Sequence, residues 1–211
     1  MSGVSGGCST EMPSSALTKF RATHTGAMVL KSHAGTSSAA CADQPFVDQT
    51  CLKAAIALAV GCWEGYIEGA LREFVSRTRV QAHRKAWGLI AQFETIVDKM
   101  AADLNTPSWE KARELLMTAT GMDPYSSWIW APKFTNQTDT KVFFDGIMSV
   151  RHAFAHGFSI PANVPGLAVP GMLDMAYVDD ALSCLEFFAR TTDELLEHEL
   201  THRHGCHSGW N

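Results

Sequence analysis

The sequence lacks an apolar run long enough to cross a bilayer; the longest, residues 54–63, is about half the required length and leads into Glu64 and Glu68. It lacks any sustained period-two alternation, which sets a β-sheet aside. Its six cysteines, Cys8, Cys41, Cys51, Cys62, Cys184 and Cys206, include no C-x-x-C pair and no framework of close spacings, so reduced thiols are expected. A Gly-rich phosphate loop and a cysteine-nucleophile pattern are also missing. Positive charge is in deficit: 17 Lys and Arg stand against 22 Asp and Glu, a net charge of -5. Any contact with nucleic acid must therefore be local. Residues 1–15 are rich in Ser and Gly, without a basic start or an apolar stretch, so no secretory signal is expected. The expected compartment is the cytoplasm, with no membrane partner.

What is present is a 3.6-residue period, recurring along most of the chain. Residues 1–14 read as a disordered segment, 15–203 as one helical domain and 204–211 as a tail. A first helix is expected from Ser15 to about Ser32. The second runs from about 50 to 77, where Leu52, Ile56, Ala59, Trp63, Ile67, Ala70, Leu71 and Phe74 form one stripe. Gly61, Gly65 and Gly69 fall four apart on this helix, and each lowers its helix propensity. Close approach of a neighbouring helix is the expected compensation. A third helix is expected over 82–104. A fourth opens with Thr106 as cap and Pro107 as its first residue, and stops at Gly121. A fifth runs from Thr138 or Asp139 to Gly157, and a last one spans about 173–202. Such stripes need one another for burial, so the expected fold is an all-α bundle of four to five core helices.

The fifth helix ends in Arg151-His152-Ala153-Phe154-Ala155-His156-Gly157. Five positions separate Arg151 from His156, about 140° of rotation on an ideal helix. For the two to share a site, either the helix loosens toward Gly157 or a second copy of the chain supplies the missing partner. The helix dipole favours a protonated imidazole at this end. An imidazole beside a permanent cation suits phosphodiester cleavage: His moves the 2′-hydroxyl proton while Arg holds the phosphate oxygens. Capping of the last helical carbonyls is the plainer account of the same residues.

Together with residues 52–68, LKAAIALAVGCWEGYIE, this motif resembles the HEPN family, and within it the bacterial RiboL-PSP-HEPN-like members. The early helix of that family typically carries a Trp-Glu, here Trp63-Glu64, and the later helix an Arg-x4–6-His, here Arg151 to His156. The resemblance spans about 50–200. It implies a bundle of four or five helices, usually homodimeric, with two motif copies facing across the interface. Many such domains are metal-independent endoribonucleases of toxin–antitoxin and phage-defence systems, needing no cofactor and partnered by an antitoxin protein. Others only bind RNA, nucleotides or a protein. Arg151 and His156 would be the catalytic pair, supported by Glu64 and by His152. The last of these is a departure, since the family often has Asn or another small polar residue after the Arg.

Two further patterns compete for attention. His198-Glu199-Leu200-Thr201-His202 is a literal H-E-x-x-H, which offers a zinc-hydrolase alternative through His198 and His202. Its extended form would put a third ligand at Ser208, one residue away from His207, so a polar helix end with adventitious metal affinity is the plainer reading. Arg77, Arg79, Arg84 and Lys85 form a basic run, readable either as an RNA-steering patch or as a solvated turn. The aromatic segment 122–137, with Trp128 and Trp130, either stacks unpaired bases or covers the end of the bundle; the latter is expected.

Overall fold

The computed structural model describes residues 12–36, 43–81, 87–103, 108–206 and 209–210. Among them are six α-helices and no strand: α1 (Ser15–His33), α2 (Gln44–Gln81), α3 (Trp87–Ala102), α4 (Trp109–Thr120), α5 (Gln137–Ala155) and α6 (Met175–His202). The fold is the expected all-α bundle.

The starts of α1, α4, α5 and α6 follow from local chemistry. Ser14 caps α1 by accepting the Leu17 N–H at 2.9 Å. Its own N–H donates to Asp193 of α6 at 3.0 Å, and its hydroxyl donates to the same carboxylate. Ser15 Oγ donates to Glu73 of α2 at 2.6 Å. Two carboxylates from other helices thus sit at the positive end of α1, where its unsatisfied N–H groups point. Burial pushes the Asp193 carboxyl above its usual range, against the hydrogen bonds that hold it. Asn136 caps α5 through Asp139 N–H, and Asp174 caps α6 through Tyr177 N–H. The cap of α4 differs from expectation. It is Ser108, whose Oγ accepts the Lys111 N–H at 3.3 Å, because that hydroxyl lies one turn below a free amide. Thr106 and Pro107 lie outside the described residues. Gly121, at φ 73°, ends α4 as expected.

The central element is α2, which packs against each of the other five helices. By length and composition its segment Gln44–Thr78, which holds an 18-residue window of mean hydropathy 1.3, would pass for a membrane span. Ile56, Ala59, Val60, Trp63, Ile67, Ala70 and Leu71 are nonetheless fully covered by the other helices, as the middle of a core requires. The Trp63 ring stacks on Tyr66 at 5.8 Å and meets Trp128, Phe144 and Phe188 at 6.0, 6.3 and 6.1 Å. Trp128 Nε1 donates to Thr192 Oγ1 at 3.0 Å. Trp128 and Trp130 are therefore core, anchoring the segment before α5 to α2 and α6.

The glycine expectation holds in part. Gly69 is met by Ala16 of α1, whose Cβ lies 3.2 Å from where a Gly69 Cβ would stand. Gly61 and Gly65 face no neighbour and border a groove of about 260 Å³ between α1 and α2. The reason is that α1 makes its close approaches elsewhere, at Gly69 and, from its own Gly26, against Leu58. The chain after α6 also turns inward. Cys206 and Trp210 are buried, and Arg77 donates to the Trp210 carbonyl. Cys51, Cys62, Cys184 and Cys206 are unbridged thiols.

Candidate site at the end of α5

Regular α-geometry persists in α5 to Ala155, and His156 is its C-cap. Gly157, at φ 68°, takes the left-handed conformation that an L side chain resists. Its N–H donates to Phe154 O at 3.2 Å, and the Phe158 N–H donates to Ala153 O at 2.7 Å. This pair of bonds is a Schellman closure, which fixes His156 and Phe158 on a stiff turn. The loop beyond lies directly on α5. A Cβ at Gly146 would stand 3.1 Å from Pro165 and 3.3 Å from both Val164 and the Tyr177 hydroxyl. Ile160, Val164 and Leu173 of this loop are buried.

The helix does not loosen, so Arg151 and His156 remain on different sides of it. What His156 meets is His152, with ring centroids 4.4 Å apart, and Phe158, whose ring stacks on it at 5.8 Å and 25°. Met148, Ser149, His152 and Ala153 share a helical face, and with Phe158, Ser159 and Pro161 they line an open cavity of about 370 Å³. His156 continues that face one turn on, whereas Arg151 lies about 100° around the helix from His152. Both imidazoles are exposed and Arg151 is half-buried.

Charge pairing separates Arg151 from the other arginines. Arg21, Arg72, Arg113, Arg190 and Arg203 all sit within 4.0 Å of a carboxylate. Arg77 is tied to the Trp210 carbonyl. Among the described residues, Arg151 has neither an ion pair nor a hydrogen-bond partner for its guanidinium. In a chain with more carboxylates than cations, leaving such a group half-buried costs solvation that no other described residue returns.

The remaining expected residues fall as follows. Glu64 is half-buried on α2, beside the fully buried Trp63. Arg72 pairs with Glu68 at 2.5 Å and Asp98 at 2.9 Å. Of the basic run, Arg77 serves the packing of Cys206 and Trp210 and is no open phosphate contact. The Arg79 side chain and the whole of Arg84 and Lys85 lie outside the described residues.

At the end of α6, His198 and His202 stack with centroids 3.9 Å apart and 15° between planes. Glu199 points elsewhere: it is buried and pairs with Arg203 at 3.0 Å. His204 packs edge-on against Phe74 at 5.4 Å. No group of three or more metal-ligating side chains occurs among the described residues. Two stacked imidazoles, with the acid turned away and held by an arginine, do not make up the donor set of a catalytic zinc site. Sequence reasoning passed over Phe158, Ser149 and Ser159. The one available signal was a bulky aromatic immediately after the Gly that closes α5.

No family model, no curated protein and no solved structure matches the chain.

Proposed function

We propose that the chain is a metal-independent endoribonuclease of HEPN type, acting as a cytoplasmic homodimer in a toxin–antitoxin or phage-defence setting. The observation that carries this reading is the unpaired, half-buried Arg151 one residue before the exposed, mutually touching imidazoles of His152 and His156. A guanidinium kept clear of carboxylates is available for a phosphate, and an imidazole held by its neighbours is available for proton transfer. Because α5 stays regular, the two groups work together only when Arg151 of one subunit faces His156 of the other across a two-fold axis. In that arrangement His156 removes the proton of the ribose 2′-hydroxyl. The 2′-oxygen attacks phosphorus, and the 5′-oxygen departs with a proton returned to it. The products are a 2′,3′-cyclic phosphate and a 5′-hydroxyl. Arg151 neutralises the charge that builds on the non-bridging oxygens. His152, in ring contact with His156, fixes its orientation, and an antitoxin protein would silence the site by covering it.

The second reading is a non-catalytic HEPN-like module that binds RNA, nucleotide or a protein. It is favoured by one specific observation: α5 stays regular to Ala155, which leaves about 140° of rotation between Arg151 and His156. The experiment that separates the two is cleavage of a mixed RNA substrate in EDTA by wild type, Arg151→Ala and His156→Ala. Cleavage lost in both variants, leaving cyclic-phosphate ends, is the expected result. A folded wild-type dimer that leaves every RNA intact would establish the binding module. Activity abolished by EDTA would return attention to His198 and His202.

A further inference from the structure

Phe158 is 61% exposed, although it occupies the position after the closing glycine whose usual task is to cover the last turn of the helix. Its backbone is held by the bond to Ala153 O, and its ring is held by the stack on His156. It is thus a rigid aromatic face turned to solvent, at the mouth of the cavity that His152 also lines. The lining of that cavity contains no lysine, arginine, aspartate or glutamate. Its polar groups are the Ser149 hydroxyl, which donates to the Asp145 carbonyl at 2.9 Å and is left as an acceptor, the Ser159 hydroxyl and the His152 imidazole; its apolar groups are Met148, Ala153 and Pro161. Hydroxyls and an imidazole among apolar surfaces suit a flat heterocycle with hydrogen-bonding edges, and no lysine or arginine stands there to neutralise a phosphate. The one unpaired arginine of this helix end lies off that face, where a phosphate would go.

We propose that Phe158 and the cavity beside it form a nucleobase subsite, in which an unpaired RNA base stacks on the exposed ring and presents its edge to Ser149, Ser159 and His152. This inference rests on the ribonuclease reading and adds to it. A base seated on Phe158 lies next to His156, so the adjoining ribose delivers its 2′-hydroxyl to that imidazole. Phe158 is then a specificity-determining and positioning residue: it restricts cleavage to single-stranded segments, whose bases are free to leave their own stack. A base paired within a duplex cannot reach the ring.

The test uses full-length wild-type protein and a single-stranded RNA whose 2′-hydroxyls are methylated, so that no turnover occurs, carrying one 2-aminopurine. Binding is expected to quench the probe. Phe158→Tyr and Phe158→Trp should retain the quenching, while Phe158→Ala should abolish it and weaken binding by about 5- to 100-fold. On cleavable RNA, Phe158→Ala should raise KM more than it lowers kcat. Wild-type binding and cleavage that ignore Phe158→Ala would overturn the subsite while leaving the ribonuclease reading standing. A loss of dimer mass in Phe158→Ala would likewise overturn it, by making the ring a subunit contact. Wild-type protein that neither binds nor cleaves RNA would remove the ribonuclease reading and the subsite together.

Discussion

Two helix ends in this molecule carry the same local pattern and came to different ends. α5 finishes on His152 and His156 before the left-handed Gly157, and α6 finishes on His198 and His202 before the left-handed Gly205. In both the rings meet, at 4.4 and 3.9 Å. Around Gly205 the chain folds back: Arg203 and His204 before it pair with Glu199 and lie on Phe74, respectively, and Cys206 and Trp210 after it are buried. Beyond Gly157 the chain also returns to the core, through Ile160 and Val164, but it first sends Phe158 outward beside a cavity, and the helix before it leaves Arg151 without a partner among the described residues. A spacing of four histidine-bearing positions is therefore uninformative alone. What decides whether such a pair works chemically is the path of the next few residues and the pairing of the nearest cation.

The sharpest way to break this comparison is to remove one member at a time. Arg151→Ala and His156→Ala should each lower metal-independent RNA cleavage by about 10²- to 10⁴-fold, while His198→Ala and His202→Ala should leave it unchanged in the same gel assay. Equal losses at both ends would sink the distinction. A mixture of inactive Arg151→Ala and His156→Ala subunits, co-refolded, should recover about a quarter of wild-type activity. Half the dimers would then be mixed, and each would hold one intact composite site. A mixture that stays dead argues that the pair acts within one chain or not at all.

The two closing glycines offer a finer comparison. A Cβ at Gly157 or Gly205 meets no atom within 4 Å, so replacement by alanine costs backbone strain alone. Each substitution should destabilise by about 1–2 kcal/mol, visible as a fall of a few degrees in Tm. Under the ribonuclease reading only Gly157→Ala should also reduce cleavage, by about ten- to a hundredfold, since only there does the turn aim the rings to which that reading assigns the proton transfer. The smallest effect concerns a third kind of histidine. His24 is buried against Phe20, and its Nε2 has no partner among the described residues. Burial lowers its pKa from the ordinary 6.5, against the pull of Glu186 and the Leu182 backbone. Between that lowered value and 6.5 the unfolded chain binds the extra proton and the folded chain does not. The contribution of His24 is therefore intact above pH 6.5 and lost as the pH falls toward the lowered value. In urea titrations over that window, His24→Gln should flatten the acid limb; an unchanged slope would place the acid sensitivity elsewhere.

Much of the bundle was legible because helices are written in short-range terms. The stripe of α2, the stop at Gly121 and the start of α1 at Ser15 all depend on residues three or four apart. Where legibility failed, either two neighbouring local signals competed or the cause lay far along the chain. Ser108 took the cap expected at Thr106, a slip of two residues between two equally good hydroxyl caps. Gly61 and Gly65 looked ready for a neighbour, but α1 chose Gly69 and left a groove at the other two. Arg77, counted among basic residues for RNA, is tied to a carbonyl 133 positions away.

By itself the sequence determined which segments are helical, where most of them begin and end, and that an arginine and two histidines crowd the last turn of α5. Periodicity, capping and the left-handed glycine are properties of neighbouring residues, and no tertiary contact is needed to read them. The tertiary structure alone decided that Arg151 has no partner among the described residues, that Glu199 is turned inward, and that Phe158 faces solvent beside a cavity lined by no lysine, arginine or carboxylate. Those outcomes rest on which carboxylates, carbonyls and apolar surfaces arrive from elsewhere in the chain, and burial and ion pairing are settled only when the helices have packed.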